Sequence, residues 1–133
     1  MPQKTCEQCP TKIFLSNRDK MKIVYSKYFP PKGFGAINLF GLIIVRKDYG
    51  ILSNAEKNHE RIHTRQILEM LIVFFYAAYI IEWIFRLIQY RDRMKAYRNI
   101  SFEREAYSHM YGLDYLKKRK IFAFRHYYRK GVK

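Results

Sequence analysis

An α+β fold is expected from three features of the chain. Two short β-branched runs lie near the start, at residues 22–28 and 36–46. Residues 55–90 contain neither Gly nor Pro, so helix can run through them unbroken. The remaining third is charged, aromatic and helix-compatible, which segregates helix from sheet along the sequence.

Taken in order, residues 1–20 are polar and basic with little periodicity and read as a poorly ordered extension. Cys6 and Cys9 form a lone C-x-x-C, a weak metal signal that reads more simply as two reduced thiols. Met21 is a candidate natural start. The organised part, residues 21–133, is expected to be a single domain. Residues 22–28 form its first strand. Residues 29–33, Phe-Pro-Pro-Lys-Gly, turn the chain. Residues 36–46 read as a second strand with a bulge at Gly41, giving a short antiparallel sheet.

A turn through Gly50 leads to Ser53-Asn54-Ala55-Glu56, a capping box that starts a helix. That helix carries Asn58-His59-Glu60-Arg61-Ile62-His63 in its second and third turns. His59 and His63, four residues apart, share one face and can hold one metal ion, with Glu60 beside them to act on a water. H-E-x-x-H of this kind supplies two ligands and a general base for metal-assisted hydrolysis, but a third ligand is required. Gln66 and Glu69 stand where a metzincin would have Gly and His, so the third ligand must come from further on. A straight helix over residues 55–90 would be about 50 Å long. The chain must therefore reverse, most plausibly near Tyr76-Ala77-Ala78, to make a helical hairpin. Residues 91–99 link the hairpin to a helix over residues 101–111, capped by Ser101 and ended by Gly112. Glu103 and Glu105 lie on it, and Glu105 is placed to pair with His109 at i,i+4. Residues 113–128 read as a basic, aromatic helix.

H-E-R-I-H followed on a later helix by Glu103-Arg104-Glu105-Ala106 resembles the gluzincin zinc metallopeptidases. These include the very small minigluzincins and the CAAX-prenyl-protease group. The resemblance covers roughly residues 36–110. It implies Zn²⁺ held by His59, His63 and Glu103 in a zinc-binding helical hairpin with a mostly helical C-terminal half. It also implies peptide-bond hydrolysis through a zinc-activated water, with Glu60 as general base and a peptide or protein as substrate. An edge strand beside the zinc helix would bind that substrate in extended form. Tyr107 or His109 would supply the donor to the developing oxyanion. Tyr107 stands where the prenyl-protease pattern has an Asp that orients a zinc-bound imidazole, so that support must come from elsewhere.

A formal charge of +15 predicts attraction to anionic partners, a phospholipid surface before nucleic acid, because no nucleic-acid motif accompanies the interleaved Arg, Lys and Tyr of residues 115–130. The apolar run 70–81 is too short to span a bilayer unless it is extended through Glu82 and Arg86. Basic residues flank it on both sides, which disfavours a single crossing. No signal peptide is recognisable, and the expectation is a cytoplasmic protein, with membrane association left open and a core hairpin preferred to a membrane-embedded one. The competing classes are a basic membrane-associated or nucleic-acid-binding protein and a non-catalytic metal-binding protein.

Overall fold

The structure is a computed structural model and describes residues 21–129. The expected basic extension and its cysteine pair lie outside the described residues. The fold is α+β, with a small three-stranded sheet followed by helices. Strands β1 (Lys22–Ser26), β2 (Ala36–Leu39) and β3 (Leu42–Arg46) are arranged in the order β1-β3-β2.

The second run is a hairpin and not one bulged strand. Leu39 pairs with Leu42 across a two-residue turn in which Phe40 (φ 56°) and Gly41 (φ 85°) are both left-handed. That conformation matches the right-handed twist of the strands. The sheet is also mixed, where an antiparallel one was expected. β2 is antiparallel to β3, but β1 runs parallel to β3 on its other edge. Residues 27–35 are long enough to return the chain, and the Arg46 guanidinium fixes this loop by donating to the Pro30 carbonyl at 3.0 Å. The sheet packs around Ile43, Val45 and Leu52.

Helix α1 (Asn54–Glu69) begins at the expected capping box. Ser53 Oγ accepts from the Glu56 N–H, and the Glu56 carboxylate accepts from the Ser53 N–H. The chain reverses at residues 70–72, six residues before the expected place. Leu71 (φ 52°) and Ile72 (φ 56°) take up the turn in left-handed conformations. These cost a non-glycine residue about 1–2 kcal/mol each. Burial of Ile67, Phe75, Ile100 and Phe102 in the main core offsets that cost.

Helix α2 (Val73–Tyr90) is followed by α3 (Arg93–Arg98), capped by Asp92, and by α4 (Ser101–His109). The expected basic terminal helix is broken into a short α5 (Tyr115–Lys118) and a 3₁₀ turn at Ala123–Tyr127. Its positive charge is partly turned inward. Arg119, almost wholly buried, pairs with Glu105 and Glu69.

The sheet is joined to α1 by one side chain. Asn38 Nδ2 donates to the Glu60 carbonyl and to Thr64 Oγ1, each at 2.9 Å, while its Oδ1 accepts from the Gly41 N–H at 3.0 Å. Asn38→Ala is expected to destabilise the protein by about 2–3 kcal/mol in urea unfolding, because two acceptors and one donor lose their partner in a dry interface.

Candidate metal centre

The buried face of α1 is polar: Asn58, His59, Glu60, His63 and Gln66 all point inward. Polar groups are buried at little cost only when partnered, so each requires an answering group from elsewhere in the fold. Most find one on α4.

Asn58 donates to the carbonyls of His109, Met110 and Gly112 at 3.0–3.3 Å and so caps the C-terminal end of α4. Glu82 of α2 caps its other end. One carboxylate oxygen accepts from the Ser101 N–H at 2.9 Å and the other from Ser101 Oγ at 2.6 Å. Ser101 is thus the donor to a cap and not the cap itself, and Ile100 occupies the N-cap position. A carboxylate at the positive end of the helix and an amide donor at its negative end both complement the backbone dipole.

Between these clamps Glu103 projects toward α1. His59 Nε2 and His63 Nε2 lie 3.0 Å apart. Each is 3.3 Å from a different oxygen of Glu103. All three residues are buried, and they form the metal-competent group found among the described residues. The two imidazole nitrogens and a carboxylate oxygen fall within 4.8 Å of one another, close enough to share one ion with bonds of about 2.0–2.1 Å after a small adjustment.

The supporting shell fixes the orientation of one ring. Gln66 Nε2 donates to the Phe102 carbonyl at 3.1 Å and to Glu105 Oε2 at 3.0 Å. Both partners only accept, so the amide oxygen must face His63, where Nδ1 lies 2.8 Å away. His63 therefore carries a proton on Nδ1 in either charge state, which leaves Nε2 as the nitrogen that faces Glu103. Glu105 is held in turn by Arg119 and by the Tyr115 hydroxyl at 3.0 Å. The expected Glu105–His109 pair does not form. His109 stacks on Tyr115 with 3.7 Å between ring centroids and meets the Tyr127 hydroxyl at 2.6 Å, facing the C-terminal segment and away from the cluster.

Tyr107 does reach the site. Its ring packs on His59 at 4.5 Å, and it lines a cavity of about 320 Å³ together with His59, Glu60, Tyr97, Arg98 and the Gly35–Ala36 backbone. Residues that sequence reasoning missed are Tyr79, Tyr97 and Gln66 as a supporting group. Tyr79 of α2 donates to Glu103 Oε1 at 2.7 Å. Gln66 was findable, because it lies three residues after His63 on the same helical face. Tyr79 was not, because its placement depends on where the chain reverses.

Burial and mutual attraction set the charges. Burial works against a charged His63, but the Glu103 carboxylate overrides it and pushes the ring up to about 9. Burial likewise opposes ionisation of Glu103, and the two imidazoles nevertheless hold it well below the usual carboxylate range. Glu60 is pushed up by burial, its Oε2 is a buried acceptor without a partner, and His59 Nδ1 is likewise buried and unpartnered.

Compared with known protein families, curated proteins and solved structures, the chain shows no match. The geometry of the site therefore carries the functional argument alone.

Two outcomes are expected. Gln66→Leu lowers affinity for a divalent transition metal about 10–100-fold in competition titrations, because His63 loses the acceptor that fixes its ring. In chelator-treated protein, the His63–Glu103 pair stabilises the fold most between about pH 4.5 and 6.5. Glu103 lies below its ordinary 4.5 when folded, so its share is present above that pH and is lost on acidification. His63 lies above its ordinary 6.5, so its share is present below 6.5 and is lost as pH rises through about 9. Thermal melts across this range measure both limbs.

Proposed function

We propose that this chain is a zinc-dependent metallopeptidase of gluzincin type, in which His59, His63 and Glu103 hold Zn²⁺. The observation that carries the proposal is the convergence of three ligand atoms from helices forty residues apart in sequence, at separations suited to one ion, with a buried carboxylate beside them. The donor set fits the metal: two imidazoles and a carboxylate are a usual set for catalytic zinc. When bound, the ion lowers the pKa of water and polarises a carbonyl.

The chain's own groups do the rest. Glu60, raised in pKa by burial, accepts a proton from the attacking water as the water oxygen bonds to the scissile carbonyl carbon. It returns that proton to the amide nitrogen as the C–N bond breaks. Tyr107, whose ring packs on His59 and borders the cavity, supplies the hydroxyl donor to the oxyanion. His109 is no longer a candidate for that role, because its ring is engaged by Tyr115 and Tyr127.

A substrate peptide has a place to lie. β2 is the edge strand nearest α1, and Gly35 and Ala36 line the same cavity as Glu60. In the hairpin ladder, Ala36 and Asn38 turn their backbone groups to the free edge. The Asn38 carbonyl is taken by the Tyr76 hydroxyl at 3.3 Å, which leaves Ala36 to pair with an extended peptide.

The test compares wild type with Glu60→Gln on a mixed peptide library, with bound zinc measured in both. The variant is expected to keep its zinc and to cleave at least about 100-fold more slowly. Equal cleavage by the two proteins would remove Glu60 from the chemistry. Failure of wild-type protein to retain zinc would end the proposal.

A further inference from the structure

Helix α2 has its polarity inside out. Its two ionised residues, Glu82 and Arg86, are buried against the protein. Glu82 caps α4, and Arg86 donates to the Tyr128 carbonyl at 2.8 Å. The opposite face presents Val73, Phe74, Ala77, Ile80, Ile81, Ile84, Phe85 and Ile88 to the outside. These recur at spacings of three, four and one, which is one continuous stripe of a helix. Their exposure is high for such residues: Phe74 64%, Ile81 68%, Phe85 58% and Ile88 73%. Leu68 and Leu71, just before α2 in the chain, are exposed as well. A surface helix of a water-soluble domain shows the reverse arrangement, and a patch of this extent marks an interaction surface.

We propose that this stripe docks on an anionic phospholipid bilayer, with α2 lying in the plane of the interface. Three observations select that occupant and orientation. Exposed cations flank the stripe in sequence, Arg65 before it and Arg91, Arg93 and Lys95 after it. An in-plane helix brings both groups to the headgroups, whereas a crossing helix places one on the wrong side. The inward face of α2 is bonded to α4 and to the C-terminal segment, so the body of the protein stays on one side of the helix, although its length and mean hydropathy of 1.2 would otherwise suit a span. A second copy of the chain is disfavoured as occupant, because pairing would bring two surfaces of a +15 protein together. The inference stands independently of the metallopeptidase reading.

The test is sedimentation with phosphatidylcholine vesicles, with and without phosphatidylserine. Wild type is expected to bind the serine-lipid vesicles and to leave the pure choline vesicles largely unbound, with binding weakened by salt. The pair Ile81→Glu and Phe85→Glu, both at exposed positions, is expected to weaken binding more than about tenfold at an unchanged thermal melt. Ile88→Ser serves as a milder second variant, with a smaller loss in the same direction. Binding by the pair variant equal to wild type would assign the attachment to charge alone and overturn the role of the stripe. Absence of binding to either vesicle would overturn the proposal. So would a wild-type dimer in analytical ultracentrifugation that the same pair dissociates, since the stripe would then belong to a second copy.

Discussion

A carboxylate buried between two imidazoles is the constraint around which the helices are arranged. Taking Glu103, His59 and His63 out of water costs several kcal/mol per ionised group unless opposite charge and hydrogen bonds answer it. The fold answers with each ring against a different oxygen of the same carboxylate, the Tyr79 hydroxyl on one of those oxygens, and Gln66 behind His63. Each of these groups comes from a helix whose position is fixed by another buried polar contact. Asn58 and Glu82 hold the two ends of α4, and Arg119 closes the outer layer by neutralising Glu105 and Glu69. The site and the architecture are therefore one hydrogen-bonded system.

This explains why the interior is unusual for so small a domain. The apolar core is modest and split into two clusters, one under the sheet and one between the helices. Between them runs a polar seam along α1. Such seams specify a particular arrangement only when nearly every member is satisfied, because a half-satisfied one is worse than hydrocarbon. Among the unpartnered buried atoms of the described residues, Asn58 Oδ1, His59 Nδ1 and Glu60 Oε2 lie on α1 and Glu103 Oε2 on the helix facing it. Unpaired buried carboxylate oxygens such as those of Glu60 and Glu103 are what a cation or a reacting water would use.

Much of the site was legible in the sequence because local rules governed it. Ser53 and Glu56 announce the start of α1, and four-residue spacing puts His59 and His63 on one face. Glu103 was singled out only by the resemblance of its E-x-x-A context, and the structure brings it to the pair. The α+β class was legible from the β-branched runs and the unbroken middle. Features set by tertiary packing were not. The reversal falls on Leu71 and Ile72, which carry no turn signature, because packing of Ile67 and Phe75 dictates where the chain must bend. The parallel pairing of β1 with β3 depends on a loop anchored by Arg46, a long-range contact without local trace. The basic tail looked like a solvated helix because the partners of Arg119 lie fifty and fourteen residues earlier. Tyr107 and His109 were equivalent by sequence, and packing separates them: Tyr107 against His59, His109 against Tyr115 and Tyr127.

The nine-residue length of α4 carries one further implication. Helices this short do not persist in water by themselves, since nucleation outweighs the few bonds gained. Glu103 is thus presented to His59 and His63 only while α1 and α2 hold both ends of its helix. An ion taken at that cluster would therefore add its binding free energy to that of the fold. A nascent chain released before residue 112 would lack the last carbonyl that Asn58 grips, and would emerge without a finished binding pocket.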